Sequence, residues 1–321
     1  MCVVLVEDAG VQVRTSGSRL VAGEAEVPLA EVDSVVVVGG AGVTTPALCR
    51  LLDGGTRVVF VTTRGRYRGA LLPATDAGVA ARAKQHRMRP GSARALEIAR
   101  EIVRSKIAHC RELCLRHRRN HPSDELDLSC EQLRSLGARA TGADSTAELR
   151  GVEGAAAAAW YRALPSMLRG EFSFNGRSRR PPRDPVNAML SFGYVLLTGE
   201  AVAALHAAGL DPYAGVYHAP GCRRPALGLD LVEEFRCLVD SMVLSLVNRR
   251  EAREDMFQRT EGGGVHLNAR GRAVFLREYQ AAMGQRPGAP QSARRAVATQ
   301  AHKLAGAITG GTAYRGFPWR P

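Results

Sequence analysis

Lysine is almost absent from this chain. Only three of its 44 basic residues are lysines, Lys84, Lys106 and Lys303, and the rest are arginines. With 31 acidic residues the net charge is +13. Arginine binds phosphate through a planar fork of donors, so this balance favours a polyanionic partner, with a merely solvated basic surface as the alternative.

Long apolar runs are lacking too. The opening "MCVVLVEDAG" has no charged leader region and too short an apolar run for a signal peptide. No window of the sequence approaches the ~18 apolar residues of a membrane span. The seven cysteines are odd in number and irregularly spaced, which is typical of reduced thiols. We therefore expect a cytoplasmic protein with no membrane partner.

Two cofactor motifs are incomplete. The Gly-rich "GGAGVTTPA" follows a predicted strand, but it lacks the third glycine of a dinucleotide-binding loop and an acid after the next strand. A zinc site is suggested by the cysteines and histidines near residue 110. The ends of a continuous helix from Cys110 to His121 would lie ~16 Å apart, too far for one tetrahedral site. Structural cysteines are the favoured interpretation. The residues concerned are His109, Cys110, Cys114, His117, His121 and Cys130.

The positive charge is unevenly distributed. Residues 1–75 hold seven basic and seven acidic side chains, whereas residues 82–119 hold twelve basic and three acidic ones. A second cluster lies in the Pro-broken "NGRSRRPPRDP". Clustered charge of one sign repels itself unless a counter-charge binds, so both regions indicate a nucleic-acid surface. With two arginines of the loop after His218, the residues expected to bind the nucleic acid are Arg82, Lys84, Arg104, Arg177, Arg179, Arg180, Arg183, Arg223 and Arg224.

The hydrophobic pattern changes along the chain. Short Val-rich runs separated by turn formers predict strands in the first 75 residues, with one helix that starts at Thr45 as its N-cap. Beyond residue 80 the period becomes helical. The sequence therefore predicts an α+β multidomain protein, with a small β-rich N-terminal domain (1–77) and a larger all-helical C-terminal domain (78–321). Further helices are expected near 125–137, 152–169, 184–208, 225–252, 270–283 and 291–309, followed by a loosely held tail, "YRGFPWRP".

Candidate acids lie in two separate stretches. In "VYHAPGCRRPALGLDLVEEFR", His218 and a basic loop precede a helix that carries Asp230 and Glu233. In "GVEGAAAAAWYRALP", Glu153 precedes five alanines, whose small side chains would allow close approach of another backbone or of a substrate. The alternatives are helix-capping acids, a structural histidine and a surface pair formed by Glu234 with Arg236.

Together with "RRPPRDPVNAMLSFGYVLL", these blocks resemble, in order and spacing, the CRISPR-associated integrase that captures new spacers, the endonuclease of the adaptation complex. The resemblance implies a homodimer built through the β-rich domain and a small ferredoxin-like partner protein that bridges two dimers. It also implies a Mg²⁺ or Mn²⁺ ion held by Glu153, His218 and Glu233. Asp230 would be a second ligand or a support behind the ligands.

The chemistry suits these residue types. In spacer integration the 3′-hydroxyl of a prespacer DNA attacks a phosphodiester of the CRISPR repeat, and a divalent ion assists by lowering the hydroxyl pKa. Carboxylates suit hard ions, and one imidazole tilts the preference toward Mn²⁺. His218 would be a neutral ligand or a general base. Two other functions fit the same residues: a metal-dependent repair nuclease without integration, and a non-catalytic DNA-binding scaffold.

Overall fold

A computed structural model describes residues 2–6, 10–62, 67–74, 78–219, 221, 224–285 and 291–318. The chain divides into two compact units, Met1–Asp76 and Ala77–Pro321. The first is β-rich and the second helical, so the predicted fold class is confirmed.

The N-terminal unit contains two four-stranded sheets. In the first, β1, β5 and β7 are parallel and β8 is antiparallel to β7, in the order β1-β5-β7-β8. The second has the order β4-β3-β2-β6. Valines and leucines from both form one core. The strands are β1 (Cys2–Val6), β2 (Gln12–Ser16), β3 (Arg19–Ala22), β4 (Ala25–Pro28), β5 (Val32–Val38), β6 (Gly42–Val43), β7 (Arg57–Val61) and β8 (Tyr67–Leu71).

The helix of this unit, α1 (Thr45–Asp53), begins one residue earlier than expected. The N-cap is Thr44, whose hydroxyl accepts a hydrogen bond from the Ala47 N–H. Thr45 is therefore the first helical residue and not the cap. In a Thr-Thr pair the sequence leaves either hydroxyl able to cap, and the backbone of β6 decides which one does.

The second unit is built from nine helices among its described residues. They are α2 (Val79–Arg87), α3 (Ala93–Asn120), α4 (Asp124–Gly142), α5 (Thr146–Met167), α6 (Pro185–Ala207), α7 (Ala226–Glu233), α8 (Arg236–Asn248), α9 (Ala269–Met283) and α10 (Ala293–Ile308). One feature was not predicted: a two-stranded hairpin of β9 (Phe257–Arg259) and β10 (Val265–Leu267). Three-residue strands are too short to show a period in the sequence.

Helix α6 lies at the centre of this unit. Contrary to the expectation from the sequence, it is long and apolar enough to cross a membrane by length and composition alone. However, 83% of its apolar window is buried inside the protein, as in the core helix of a globular domain.

The single helix expected over 225–252 is broken into α7 and α8 at Glu234 and Phe235. Phe235 is fully buried and Glu234 has no exposed surface, so the break turns both side chains into the core. The predicted surface pair of Glu234 with Arg236 is therefore wrong. Arg236 donates to Glu233 instead, at 3.1 Å.

The tail is held firmly up to residue 317, contrary to the prediction of a loose end. Glu234 accepts hydrogen bonds from the Tyr314 hydroxyl, the Gln300 amide and the Phe317 N–H. The Phe317 ring stacks on Phe235 with centroids 4.6 Å apart. A buried carboxylate needs such donors, which come here from α10 and from the tail that follows it.

Candidate active site

Glu153 lies in the second turn of α5, beside the alanine run. Its side chain is 17% exposed. One carboxylate oxygen, Oε2, accepts a 2.6 Å hydrogen bond from the Tyr217 hydroxyl, and the other, Oε1, contacts the ammonium group of Lys106. One oxygen is therefore directed toward the loop that carries Tyr217, and the other toward α3.

Lys106, on α3, links Glu153 to Glu233. Its Nζ lies 2.6 Å from Glu233 Oε2 and is also paired with Glu153 Oε1. Burial opposes the charged form of the lysine, but the two carboxylates outweigh it and raise the pKa of Lys106 to about 12. Two acids 80 residues apart in sequence thus meet at one cation.

Glu233 is the last residue of α7 and is only 6% exposed. Arg236 donates to its Oε1 and also lies over the Tyr194 ring, 4.0 Å from the centroid. Burial raises the pKa of a carboxyl, yet Arg236 and Lys106 hold the pKa of Glu233 well below its usual range. Its Oε2 atom is buried and receives no hydrogen bond of acceptable geometry, although the ammonium is close.

Asp230 is fully buried and organises the loop before α7. Its two oxygens accept hydrogen bonds from the backbone N–H groups of Val216, Tyr217 and His218, at 2.8, 3.1 and 2.8 Å. A further contact of 2.7 Å joins Oδ1 to Nδ1 of the His218 ring. With both oxygens engaged in these contacts, Asp230 holds the backbone and the ring of His218 in place.

His218 is therefore held by its Nδ1 atom. Burial opposes protonation, but the hydrogen bond and charge of Asp230, with Glu233 and Glu153 nearby, raise the pKa of His218. The loop packs tightly here, since a Cβ at Gly215 would lie 2.5 Å from the His218 carbonyl oxygen. The ring is 21% exposed, so it keeps access to solvent.

A cavity of about 30 Å³ opens beside Glu233. Lys106, Glu233 and Arg236 line it, as does Ala156 of the alanine run. The volume is enough for one water molecule or one ion. Arg179, an exposed member of the predicted DNA surface, also lines this cavity.

The predicted ligands are brought together in part. Glu153 and Glu233 share one cation, and His218 is close enough for their charges to raise its pKa. Within the described ranges, no three His, Cys, Asp or Glu side chains form a group that could hold a metal ion. Lys106 takes the position between the two glutamates.

The predicted DNA-contacting residues fall into two groups. Arg82 and Lys84 donate to carbonyl oxygens of Gly209 and Thr309, and Arg104 pairs with Glu101. Arg177 also faces inward, toward Asn187, Ser191 and the Tyr194 ring. The exposed members are Lys84, Arg179, Arg180, Arg183 and Arg224, and Arg223 lies outside the described residues.

The histidine and cysteines near residue 110 have structural roles. His109 is buried, with its ring nitrogens next to the carbonyl oxygens of Glu234 and Phe317. Cys110, Cys114 and Cys130 are buried free thiols. This agrees with the interpretation favoured over zinc.

Sequence reasoning missed Lys106, Tyr217 and the role of Arg236. For Lys106 a signal existed. Position 106 follows Ile102 and Val103 by four and three residues and precedes Cys110 by four, so the helical period turns its side chain toward the core. A lysine there needs a buried carboxylate partner.

The sequence of this chain matches a known protein family. Residues 3–281 match the family described as CRISPR associated protein Cas1. The chain is 36% identical over 297 residues to the CRISPR-associated endonuclease Cas1 2 of Rhodospirillum rubrum, a match that covers 86% of this chain and 85% of the relative.

Solved structures share the fold across nearly the whole chain. A Cas1 protein from Thermotoga maritima has a TM-score of 0.83 at 25% identity, covering 99% of this chain and 100% of that one. A Cas6-RT-Cas1–Cas2 complex has a TM-score of 0.81 at 25% identity, covering 99% of this chain but 36% of that one. A casposase bound to integration product has a TM-score of 0.83 and covers 98% and 93%. At 22% identity, that likeness shows the fold alone.

Proposed function

The chain belongs to the CRISPR associated protein Cas1 family, and we propose that it is a metal-dependent DNA integrase of CRISPR adaptation. It would join the 3′-hydroxyl of a prespacer duplex to a phosphodiester of the CRISPR repeat. The Rhodospirillum rubrum relative is named an endonuclease, and the same site would serve hydrolysis with water as the nucleophile.

One observation carries this proposal. Glu153 and Glu233, from separate helices, direct carboxylate oxygens at a single cationic centre beside a cavity large enough for an ion. Buried carboxylates with one imidazole, which binds a metal ion once it has lost its proton, are a donor set for Mg²⁺ or Mn²⁺. Such an ion, held by Glu153, Glu233 and His218, would activate the attacking hydroxyl and neutralise charge on the phosphoryl oxygens.

The other residues position these groups. Asp230 holds the His218 ring through Nδ1, which leaves Nε2 as the atom to bind or to move a proton. The Tyr217 hydroxyl fixes the direction of the Glu153 carboxylate. Arg179, exposed at the cavity, can pair with a DNA phosphate next to the reacting one.

The protein partners are proposed from the family and from a solved assembly. The Cas6-RT-Cas1–Cas2 complex is named for an assembly of Cas1 with Cas2. We extend this to the present chain as a homodimer built through the β-rich unit, with a small ferredoxin-like partner bridging two dimers. Its work on DNA and its free thiols suit the cytoplasm.

The test is an integration assay. The protein is incubated with a short duplex, a supercoiled plasmid bearing a CRISPR repeat and Mn²⁺, with and without the small partner protein. Covalently joined products are expected, and a chelator should abolish them. Nicked plasmid without joining would identify a nuclease instead, and products that survive the chelator would refute metal dependence.

A charge reversal tests the DNA surface. The double substitution Arg179→Glu/Arg180→Glu should weaken duplex binding and reduce the slope of log K against log salt by about 2, because each lost phosphate contact removes ~0.9. Fluorescence anisotropy over a salt series measures this.

The matched control is Arg270→Glu/Arg277→Glu. These arginines are exposed on α9, and the double substitution changes the net charge equally. It should leave the slope near the wild-type value. Equal slopes for the two double variants would mean that only net charge matters and that the Arg179 loop is not a DNA surface.

A further inference from the structure

In each of the two glutamates, one carboxylate oxygen accepts a hydrogen bond from a tyrosine or an arginine, and the other contacts the Lys106 ammonium group. In Glu153, Tyr217 holds Oε2 and Lys106 takes Oε1. In Glu233, Arg236 holds Oε1 and Lys106 takes Oε2. The oxygens that face each other across the site are therefore the same ones that the ammonium now occupies.

A divalent ion and this ammonium cannot use those oxygens together. Mg²⁺ requires carboxylate oxygens at 2.0–2.1 Å, and a buried positive charge in contact with the same oxygens would repel it strongly. The pair of carboxylates can be neutralised by the lysine or by the ion, one at a time.

The lysine has the means to move. Its charge is carried on a flexible four-carbon stem, unlike the rigid fork of Arg236. The side chain is 13% exposed, and Lys106 lines the cavity of about 30 Å³. The ammonium can leave the space between the glutamates without rearrangement of α3.

We infer that Lys106 is a built-in counter-ion, which holds Glu153 and Glu233 together in the metal-free protein and is displaced when the divalent ion binds. This inference rests on the metal site proposed above. The metal-free state with Lys106 in place is not competent to bind, so the apparent affinity for the ion is reduced by the fraction of molecules in which the lysine has left.

The test is Mn²⁺ binding to the full-length protein, measured by isothermal titration calorimetry after chelator treatment, with melting temperature as a second readout. Lys106→Met and Lys106→Gln should bind Mn²⁺ about tenfold more tightly than wild type. Without the ion, both variants should melt at a lower temperature than wild type, because two buried carboxylates lose their shared cation. Added Mn²⁺ should raise their melting temperature by more than it raises that of wild type.

Two control variants isolate the charge at this position. Lys106→Arg keeps the charge and should keep weak binding, while Lys303→Met, which removes an exposed lysine on α10, should match wild type. The glutamine variant can still donate to both carboxylates, so it serves if the methionine variant fails to fold.

The outcomes separate the two proposals. If Mn²⁺ binds wild type but not Glu233→Gln, and the neutral Lys106 variants bind equally or more weakly than wild type, the counter-ion inference is overturned and the metal site stands. If Mn²⁺ binds wild type and Glu233→Gln alike, the metal site itself fails, and this inference fails with it.

Discussion

Strand transfer is expected to fall by about 1,000-fold when either Glu153→Gln or Glu233→Gln is introduced. Glutamine keeps the size and shape of the side chain but loses the charge that neutralises a divalent ion. Losing several kcal/mol of transition-state stabilisation corresponds to this fall in rate. The integration assay measures the loss, and the rise in melting temperature with added Mn²⁺ should disappear in the same variants.

Duplex binding supplies the internal check for these variants. It should persist, because the exposed arginines of the Arg179 loop are untouched. The matched control, Glu131→Gln, removes an equal charge from the exposed face of α4, where Glu131 pairs with Arg134. It should retain full activity. Wild-type strand transfer in both site variants would remove the basis for placing the chemistry at these two glutamates.

The fold class and most helices could be predicted because they depend on local patterns. The change from Val-rich runs to a helical period separates the two units, and α6, α9 and α10 lie near their expected ranges, whereas α5 begins six residues before its expected start. The break between α7 and α8 could not be predicted. Residues 233–236 contain neither proline nor glycine, and their conformation is set by tertiary contacts: Phe235 against Phe317 and Glu234 against Tyr314.

In the site, too, some residues could be predicted from the sequence and others depend on tertiary contacts. Glu153, His218 and Glu233 were expected as ligands because their sequence blocks resemble the CRISPR-associated integrase, whereas their residue types alone left capping acids and a structural histidine open. Tyr217 and Arg236 were not predicted, because tyrosine and arginine have many structural roles. The packing of α5 against the loop places the Tyr217 hydroxyl on Glu153, and the break between α7 and α8 places Arg236 on Glu233. Asp230 resembled a helix cap, but the structure shows it accepting three backbone N–H groups from the preceding loop.

That anchoring role predicts a large effect for Asp230→Asn. An amide offers one acceptor oxygen where the carboxylate offers two, so at least one buried N–H of residues 216–218 loses its partner, and Nδ1 of His218 loses its charged acceptor. We expect the free energy of unfolding to fall by about 3 kcal/mol, as for the loss of one partner of a buried pair. Strand transfer, assayed well below the melting temperature, should fall by about 10–100-fold.

A comparison with His218→Ala separates anchoring from general instability. That variant leaves the three backbone bonds of Asp230 in place and removes a partly exposed ring, so it should lose activity with little change in denaturant midpoint. A second readout is the pKa of His218 by NMR. Asp230 raises this pKa against the opposing effect of burial, so in Asp230→Asn it should drop. Unchanged stability together with an unchanged imidazole pKa would show that Asp230 neither anchors the loop nor orients the ring, and its carboxylate would then be free to act as a ligand itself.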